Sequence, residues 1–212
     1  MEFRTSNVGK VAAPQARKHV LTMVDAELIH RCQQGDQAAF EELVKRSERR
    51  VFGLIYQIVR SANDVEDIAQ EVFTKLFFSL PQFRLDASFD AWLYRIAVNQ
   101  CYDYLRRRKR NPQVTQADLS EEEAAFFESD ESVTLARPAD ISKRMELRQL
   151  AENLLSALPP KERSLLILKE IEQFSIEELA SIFKTSKSAI KLRLFRARNH
   201  LKAVYEKSKK RK

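Results

Sequence analysis

Apolar residues recur every three to four positions along most of the chain, which is the spacing of amphipathic α-helices. The longest such stretch runs from Gln37 to about Arg60. A shorter predicted helix precedes it, capped by Asp25 and extending through Gln34. No stretch alternates apolar and polar residues over the length of a strand, so the pattern predicts an all-α protein.

Two further helices are predicted before the middle of the chain. The first follows the capping sequence Ser61-Ala-Asn-Asp64 and ends at Pro81, because proline interrupts helical hydrogen bonding. The second follows the loop QFRLDAS and extends from about Phe89 to Arg108. Their apolar faces consist of Val65, Ile68, Ala69, Val72, Phe73, Leu76 and Leu80, and of Phe89, Trp92, Leu93, Ile96 and Tyr104.

Four helices are predicted in the C-terminal part of the chain. One runs from near Asp140 to the Pro159-Pro160 pair, and a second spans roughly Lys161 to Gln173. The third is a short helix from Ile176 to Phe183, and the fourth is a basic helix that follows Ser186. Because all four carry an apolar face, they predict a compact four-helix domain.

The last two helices have the arrangement of a helix-turn-helix. A capping box, Ser175 to Glu178, opens a helix that ends near Phe183. A three-residue break follows, and its last residue, Ser186, is the predicted N-cap of the final helix. In a helix-turn-helix the second helix lies in the major groove of DNA.

The final helix is strongly basic and carries no carboxylate between Thr185 and Lys202. One stripe of it is apolar, whereas Leu192 and Phe195 point away from that stripe, among the cations. Cations neutralise phosphates and apolar side chains contact thymine methyl groups, so the pattern favours DNA as the ligand. The cations are Lys187, Lys191, Arg193, Arg196, Arg198 and Lys202, and the stripe is Ile190, Leu194, Ala197 and Leu201.

Composition narrows the class of protein. The chain has 212 residues, a formal net charge of +7 and only three glycines, which favours helices and a polyanionic partner. Cys32 and Cys101 lie far apart without CxxC spacing, which predicts reduced intracellular thiols and no metal site. No catalytic motif, leader peptide or membrane-length apolar run occurs. The sequence therefore predicts a cytoplasmic, non-enzymatic protein without a cofactor.

Charge is segregated along the chain. Residues 106–110 read RRRKR, whereas residues 111–140 hold eight carboxylates against one cation. In the acidic stretch apolar residues do not recur at a regular spacing, which predicts a flexible linker between two small helical domains. The predicted division is a disordered basic N-terminus at 1–24, a helical bundle at 25–110, the acidic linker at 111–140, the four-helix domain at 141–204 and a basic tail at 205–212.

Aromatic and basic residues are interleaved between Phe83 and Arg110. Aromatic rings stack on unpaired bases and cations neutralise phosphates, so this stretch favours single-stranded nucleic acid. Phe89 and Trp92 share the apolar stripe of their helix, so part of the set is expected to be core. The rings are Phe83, Phe89, Trp92, Tyr94, Tyr102 and Tyr104.

Five motifs follow one another along the chain: GDQAAFEELV, DVEDIAQEVFTKL, FRLDASFDAWLYRIAVNQ, LPPKERSLLILKEIEQFSIEELA and IKLRLFRAR. In this order they resemble bacterial RNA polymerase sigma factors of the extracytoplasmic-function class, in the sigma-70 family. The resemblance covers about residues 25–204. It implies an initiation subunit that binds core RNA polymerase, directs it to −35 and −10 promoter elements and helps to melt the −10 region.

The resemblance also implies partners and site residues. The partners are the β′ and β subunits of the polymerase, duplex −35 and single-stranded −10 DNA, and an anti-sigma factor that can be membrane-anchored, with no small-molecule substrate. Docking on a β′ coiled coil is implied for Asp67, Gln70, Glu71 and Phe73. Contacts to −10 DNA are implied for Phe83, Arg84, Asp86, Ser88, Trp92, Asn99, Arg106, Arg107 and Arg108. Contacts to −35 DNA are implied for Ser188, Lys191, Leu192, Phe195 and Arg196.

Some positions depart from the family pattern. Leu85 and Lys184 stand where glycine is common, and Ala189 stands where threonine is common. The segment EQFS, residues 172–175, replaces the usual Gly-Leu-Ser. These departures do not change the expected fold, but the promoter sequence does not follow from the residues at these positions.

Two other functions fit parts of the sequence. A helix-turn-helix activator or repressor, binding duplex DNA as a dimer, would account for residues 159–202. It would leave the aromatic and basic helix and the D-x-x-Q-E-x-F pattern without a role. An enzyme acting on nucleic acid would need a catalytic motif that the sequence lacks. Co-purification with core RNA polymerase separates the first alternative from a sigma factor.

Overall fold

The computed structural model describes residues 25–84, 88–110 and 138–210, with side chains from residue 145 onward in the last range. Within these residues the chain is helical and contains no strand, which confirms the predicted all-α class. The predicted N-terminal tail, most of the acidic linker and Asp86 lie outside the described residues. The helices are α1 Ala26–Gln33, α2 Gln37–Val59, α3 Val65–Ser79, α4 Phe89–Arg110, α5 Pro138–Ser156, α6 Pro160–Leu166, α7 Ile176–Ile182 and α8 Lys187–Lys209.

Side-chain caps fix the starts of the first two helices. Asp25 and Asp36 each accept a hydrogen bond from the N–H three residues later, at 2.7 and 3.0 Å. Gly35 has a φ of +84°, which lets the chain turn sharply between α1 and α2. The predicted cap of α3 is wrong in detail: Asp64 precedes the helix, but its side chain makes no capping hydrogen bond and instead accepts one from Ser61.

The N-terminal half is a bundle in which α2, α3 and α4 pack against one another and α1 packs against α2. Its core contains most of the predicted apolar faces of α2 and α3. The predicted face of α4 is only partly right, because Trp92, Ile96 and Tyr104 are half-buried, whereas Ala97, Val98 and Cys101 are buried. A buried Leu or Ile side chain stabilises the fold by about 1.5–3 kcal/mol relative to exposure, so this core orients α3 and α4 firmly. The most deeply buried members are Leu43, Ile55, Ile58, Val65, Ile68, Val72, Leu76, Leu93 and Ala97.

The C-terminal half packs α6, α7 and α8 around a second core. The helix predicted from roughly Lys161 to Gln173 is helical from Pro160 to Ile171, but only α6 is α-helical, because a π-helical turn, Ile167–Ile171, follows Leu166. Gln173 then takes a φ of +59°, which redirects the chain into α7. The buried side chains include Leu165, Ile167, Leu168, Phe174, Leu179, Ile182, Ile190, Leu194 and Ala197.

Arg163 is buried where the two halves meet. Its guanidinium donates hydrogen bonds to the carbonyls of Ile58, at 3.2 Å, and Leu158, at 3.0 Å. Burial lowers the pKa of Arg163, because water no longer solvates the cation. The carbonyl groups at the end of α2 replace that water, so the side chain fastens the C-terminal half to the end of α2.

Glu172 makes a second polar contact between the halves. Its carboxylate accepts hydrogen bonds from Arg50, at 2.6 Å, and from the hydroxyl of Tyr94, at 2.7 Å. The Tyr94 ring lies 5.1 Å from the ring of Phe174, edge to face. Burial and the nearby Glu172 carboxylate raise the pKa of Tyr94 well above its usual value, so this hydroxyl stays protonated. The two halves therefore pack together.

Candidate nucleic-acid and polymerase interfaces

The basic helix α8 has one buried face and one exposed face. Ile190 and Leu194 are buried against α6 and α7, as predicted. On the other side Leu192 is 49% exposed and Phe195 is 62% exposed. Ser186 caps the helix by accepting a hydrogen bond from the Ala189 N–H at 3.2 Å. The predicted outward position of the two apolar side chains is therefore confirmed.

The predicted −35 contacts lie together on this exposed face, which we call the α8 face: Ser188, Lys191, Leu192, Phe195 and Arg196. Two cations flank it and pair with carboxylates: Lys187 with Glu177 at 2.8 Å, and Arg198 with Glu170 at 2.7 Å. The hydrogen bond from Lys187 lowers the pKa of Glu177. Both pairs are exposed, so they add little stability.

The turn between α7 and α8 is tight and left-handed. Lys184 has a φ of +47°, and Thr185 N–H donates to the Ala180 carbonyl at 3.0 Å. This is the Schellman arrangement, in which glycine is the usual left-handed residue. Lys184 thus occupies the position where the family pattern has glycine, and the turn keeps its shape despite the substitution.

The aromatic residues at the start of α4 form a packed cluster. Phe83 and Phe89 are each only 7% exposed, with ring centroids 5.5 Å apart. Trp92 is half-buried and lies 4.8 Å from Phe83. Of the other predicted −10 contacts in this region, Arg84 and Ser88 are exposed. Within this cluster only Trp92 retains a substantial surface.

Further along α4 the predicted −10 contacts are more accessible. Asn99 is exposed, and Arg106 is exposed and pairs with Asp103. Arg107 is exposed and contacts Glu71 of α3 at 3.0 Å, whereas Arg108 is half-buried. We call the surface formed by Trp92, Asn99 and Arg106 to Arg108 the α4 face.

The residues predicted to dock on polymerase lie along α3. Asp67 and Gln70 are exposed, whereas Phe73 is half-buried against the core. The Glu71 carboxylate accepts hydrogen bonds from Gln100, at 2.9 Å, and from Arg107. The structure therefore brings the docking residues and the α4 face into direct contact, which their separation along the sequence did not indicate.

A groove between α3 and α4 contains residues that sequence reasoning gave no role. Its volume is about 550 Å³, and Lys75, Phe78 and Asp103 line it together with Asn99 and Arg106. Phe78 is 72% exposed. Glu71, Lys75 and Phe78 are spaced four and three residues apart, which places them on one face of α3. This spacing is the feature of the sequence that could have indicated a common surface.

The described part of the chain contains neither a metal site nor a membrane-spanning helix. No group of histidine, cysteine or carboxylate side chains there is arranged to hold a metal ion. Among the same residues, no helix is long and apolar enough to cross a membrane. Cys101 is buried, and this burial raises its pKa to about 12, so it remains an unreactive thiol.

Comparison with protein families identifies both halves. Residues 43–111 match the model of Sigma-70 region 2, and residues 148–201 match the model of Sigma-70, region 4. The RNA polymerase sigma-H factor of Pseudomonas aeruginosa is 35% identical over 175 residues, covering 82% of this chain and 90% of the relative. The ECF RNA polymerase sigma-E factor of Escherichia coli K12 is 37% identical over 177 residues, covering 83% and 91%.

The chain belongs to the sigma-70 family, in the extracytoplasmic-function class. It is a sigma factor that acts in promoter-directed initiation of transcription.

The same helical fold occurs in solved sigma factor structures. The structure of CnrH in complex with the cytosolic domain of CnrY has a TM-score of 0.58 at 24% identity, covering 85% of this chain and 96% of that one. The sigma factor RpoE of Bartonella quintana, solved in complex with the anti-sigma factor NepR, has a TM-score of 0.58 at 20% identity, with 79% and 96% covered. These likenesses support the fold of this sigma factor.

Proposed function

We propose that this sigma factor is a non-catalytic subunit in which two faces recognise the two promoter elements. The observation that carries this proposal is the presence of both faces on one chain. The α8 face exposes Leu192 and Phe195 among cations, which suits duplex DNA. The α4 face combines Trp92, Asn99 and arginines, which suits an unpaired strand.

The exposed positions on α3 are the proposed polymerase contact. Asp67 and Gln70 project into solvent, and Glu71 is anchored by Gln100 and Arg107. A protein partner that binds Glu71 therefore competes with the Arg107 pair and frees that arginine for phosphate. Docking on polymerase and exposure of the −10 contacts are coupled in this proposal.

The test is a binding measurement with core RNA polymerase. Gln70→Ala combined with Glu71→Ala is expected to weaken core binding at least tenfold while the fold is kept, since partly exposed polar residues contribute little to stability. Lys184→Ala, a change far from α3, is the control and should bind core normally. Unchanged core affinity of the folded double variant would contradict the docking assignment.

Simultaneous recognition of both elements requires the halves to separate. The −35 and −10 elements lie about 25 base pairs apart, which is roughly 85 Å of duplex at ~3.4 Å per base pair. In the structure Ser164 of α6 contacts the hydroxyl of Tyr102 on α4, so the halves are side by side. Residues 111–137 span at most about 90 Å when extended, which allows the separation. We propose that polymerase stabilises this open arrangement.

The closed arrangement offers a means of regulation. An anti-sigma factor, the kind of partner named for the Bartonella quintana relative, is the proposed cytoplasmic regulator of this chain. Such a partner, which can be membrane-anchored, would stabilise the contacts of Arg163 and Glu172 between the halves. Both side chains already have hydrogen-bond partners in the other half, so a regulator needs only to cover the contact between the two halves.

A further inference from the structure

Gln33, the last residue of α1, joins that helix to the segment that leads into α4. Its side-chain amide donates hydrogen bonds to the carbonyl of Leu80, at 3.0 Å, and to the carbonyl of Phe83, at 2.8 Å. The two acceptors lie 47 and 50 residues further along the chain. A glutamine amide has two N–H donors, so this contact occupies both of them.

The two carbonyls belong to the turn that follows α3. Leu80–Gln82 form a 3₁₀ turn, closed by a hydrogen bond from the Phe83 N–H to the Leu80 carbonyl at 3.0 Å. Phe83 leaves this turn in an extended conformation, with a φ of −70° and a ψ of 131°. Its carbonyl is part of the planar peptide group that joins Phe83 to Arg84. The hydrogen bond from Gln33 therefore sets the direction in which the chain continues to Arg84.

The helix that carries Gln33 is itself anchored. Leu28 and Ile29 are buried, and α1 packs against both α2 and the 3₁₀ turn. At the other side of the short turn after α1, Asp36 caps α2 and pairs with Arg31 at 2.7 Å. Gln33 thus reaches the turn from a fixed support, so its two hydrogen bonds restrain the turn rather than follow it.

Phe83 passes this restraint on to the α4 face. Its buried ring lies 4.8 Å from the ring of Trp92 and 5.5 Å from the ring of Phe89. Trp92 packs on Phe83, and Arg84 follows it in the chain, and both are proposed −10 contacts. Side chains that are already placed lose less conformational entropy on binding, which raises affinity. The orientation of Phe83 therefore affects how well the α4 face binds.

We infer that Gln33 is a positioning residue for recognition of the −10 strand. It binds the backbone of the segment before α4 rather than DNA, and it acts through Phe83 on Trp92 and Arg84. Without its amide the Phe83 carbonyl loses this donor, and the peptide group between Phe83 and Arg84 can rotate. The inference rests on the proposed function, because the side chains that Gln33 positions are the proposed −10 contacts.

Trp92 is the single tryptophan of the chain, so its fluorescence reports on this cluster alone. Gln33→Glu is nearly isosteric and replaces the donor by a carboxylate, which repels the two carbonyls. In the free full-length chain, acrylamide should quench Trp92 about twofold more efficiently in this variant, because the ring loses its close packing on Phe83. Gln34→Glu is the matched control and should be quenched like the wild type, since the Gln34 side chain is exposed and contacts His30.

Holoenzyme assembled from core polymerase and the full chain shows the consequence for DNA. Gln33→Glu is expected to lower affinity for a single-stranded −10 oligonucleotide about tenfold, and to reduce discrimination against single-base variants of that strand. Affinity for core polymerase should stay within about twofold of the wild type, because Gln33 contacts none of the proposed docking residues. Gln33→Leu removes the donors without adding charge and should show the same pattern.

The contrary results are distinct. Trp92 quenching that equals the wild type in both Gln33 variants would show that the cluster keeps its geometry without this side chain. A loss of −10 affinity that Gln34→Glu shares would assign the effect to charge. An equal loss of core binding, or a loss of helix in the circular dichroism of Gln33→Leu, would make Gln33 a residue of general stability. Each of these results would overturn the inference.

The wild-type holoenzyme separates this inference from the function on which it rests. If it bound the −10 strand no better than a scrambled strand, the proposed function would fail and the positioning role with it. If it preferred the −10 strand and both Gln33 variants kept that preference in full, the positioning role alone would be wrong.

Discussion

The two proposed DNA faces differ in whether their side chains also make contacts within the protein. The α8 face is the outer side of a helix whose inner side, including Ile190 and Leu194, supplies the core. The α4 face consists of side chains that contact other parts of the fold: Trp92 packs on the buried ring of Phe83, and Arg107 pairs with Glu71 of α3. Duplex recognition therefore needs only a preformed surface, whereas binding of the −10 strand must replace internal contacts.

The largest expected contrast is in stability. Phe83→Ala should lower the free energy of unfolding by about 3 kcal/mol, because it removes a buried ring from the cluster with Phe89 and Trp92. Phe195→Ala should change it by less than about 0.5 kcal/mol, because that ring is exposed. Urea unfolding of both variants measures the difference. Equal losses would show that the two faces are not built differently.

A second contrast concerns specificity within the α8 face. Leu192→Ala should reduce discrimination at particular −35 bases by about 1–2 kcal/mol, as the loss of a contact to a thymine methyl group would. Binding to a panel of single-base −35 variants measures this. A loss of affinity that is uniform across the panel would argue against direct recognition by this side chain.

A phosphate contact on the same face should behave in the opposite way. Lys191→Ala is expected to weaken −35 binding for all sequences and to reduce the slope of log K against log salt by about 0.9. Titrations at several salt concentrations give the slope, with Leu192→Ala as the control that should keep it. An unchanged slope for Lys191→Ala would place this side chain away from the phosphates.

The smallest expected effect lies in the turn that positions α8. Lys184 is held in the left-handed region at a φ of +47°, where a residue with a Cβ is strained and glycine is not. Lys184→Gly should therefore raise the free energy of unfolding by about 0.5–1 kcal/mol. Thermal unfolding measures this increase in stability. A lower stability of Lys184→Gly would show that the backbone at Lys184 is not strained.

Local features of the fold were predictable from the sequence because they depend on neighbouring residues. The capping box at Ser175, the N-cap at Ser186 and the outward position of Phe195 are examples. The contacts of Arg163 with the end of α2 and of Glu71 with Arg107 were not predicted, since they join residues 105 and 36 positions apart. The π-helical turn was missed because apolar periodicity does not distinguish it from an α-helix.

For the predicted site residues, too, the sequence indicated their positions along the helices but not the tertiary contacts that bury or expose them. The motifs gave the positions on α8, on α4 and in the segment before α4, and those that the structure describes lie at or near the surface except for Phe83. The burial of Phe83 could not be foreseen, because an aromatic residue in a loop suits a core and a ligand contact equally. The groove at Phe78 required the relative placement of α3 and α4.

The most direct test of the central claim is permanganate footprinting of thymines in the −10 element, at holoenzyme concentrations that saturate the promoter. The variants are Asn99→Ala on the α4 face and Lys191→Ala on the α8 face. The account predicts that promoter bound by the Asn99→Ala holoenzyme stays largely closed, whereas promoter bound by the Lys191→Ala holoenzyme opens like the wild type. Normal opening with Asn99→Ala, or equal loss of opening with both variants, would contradict the division of labour between the two faces.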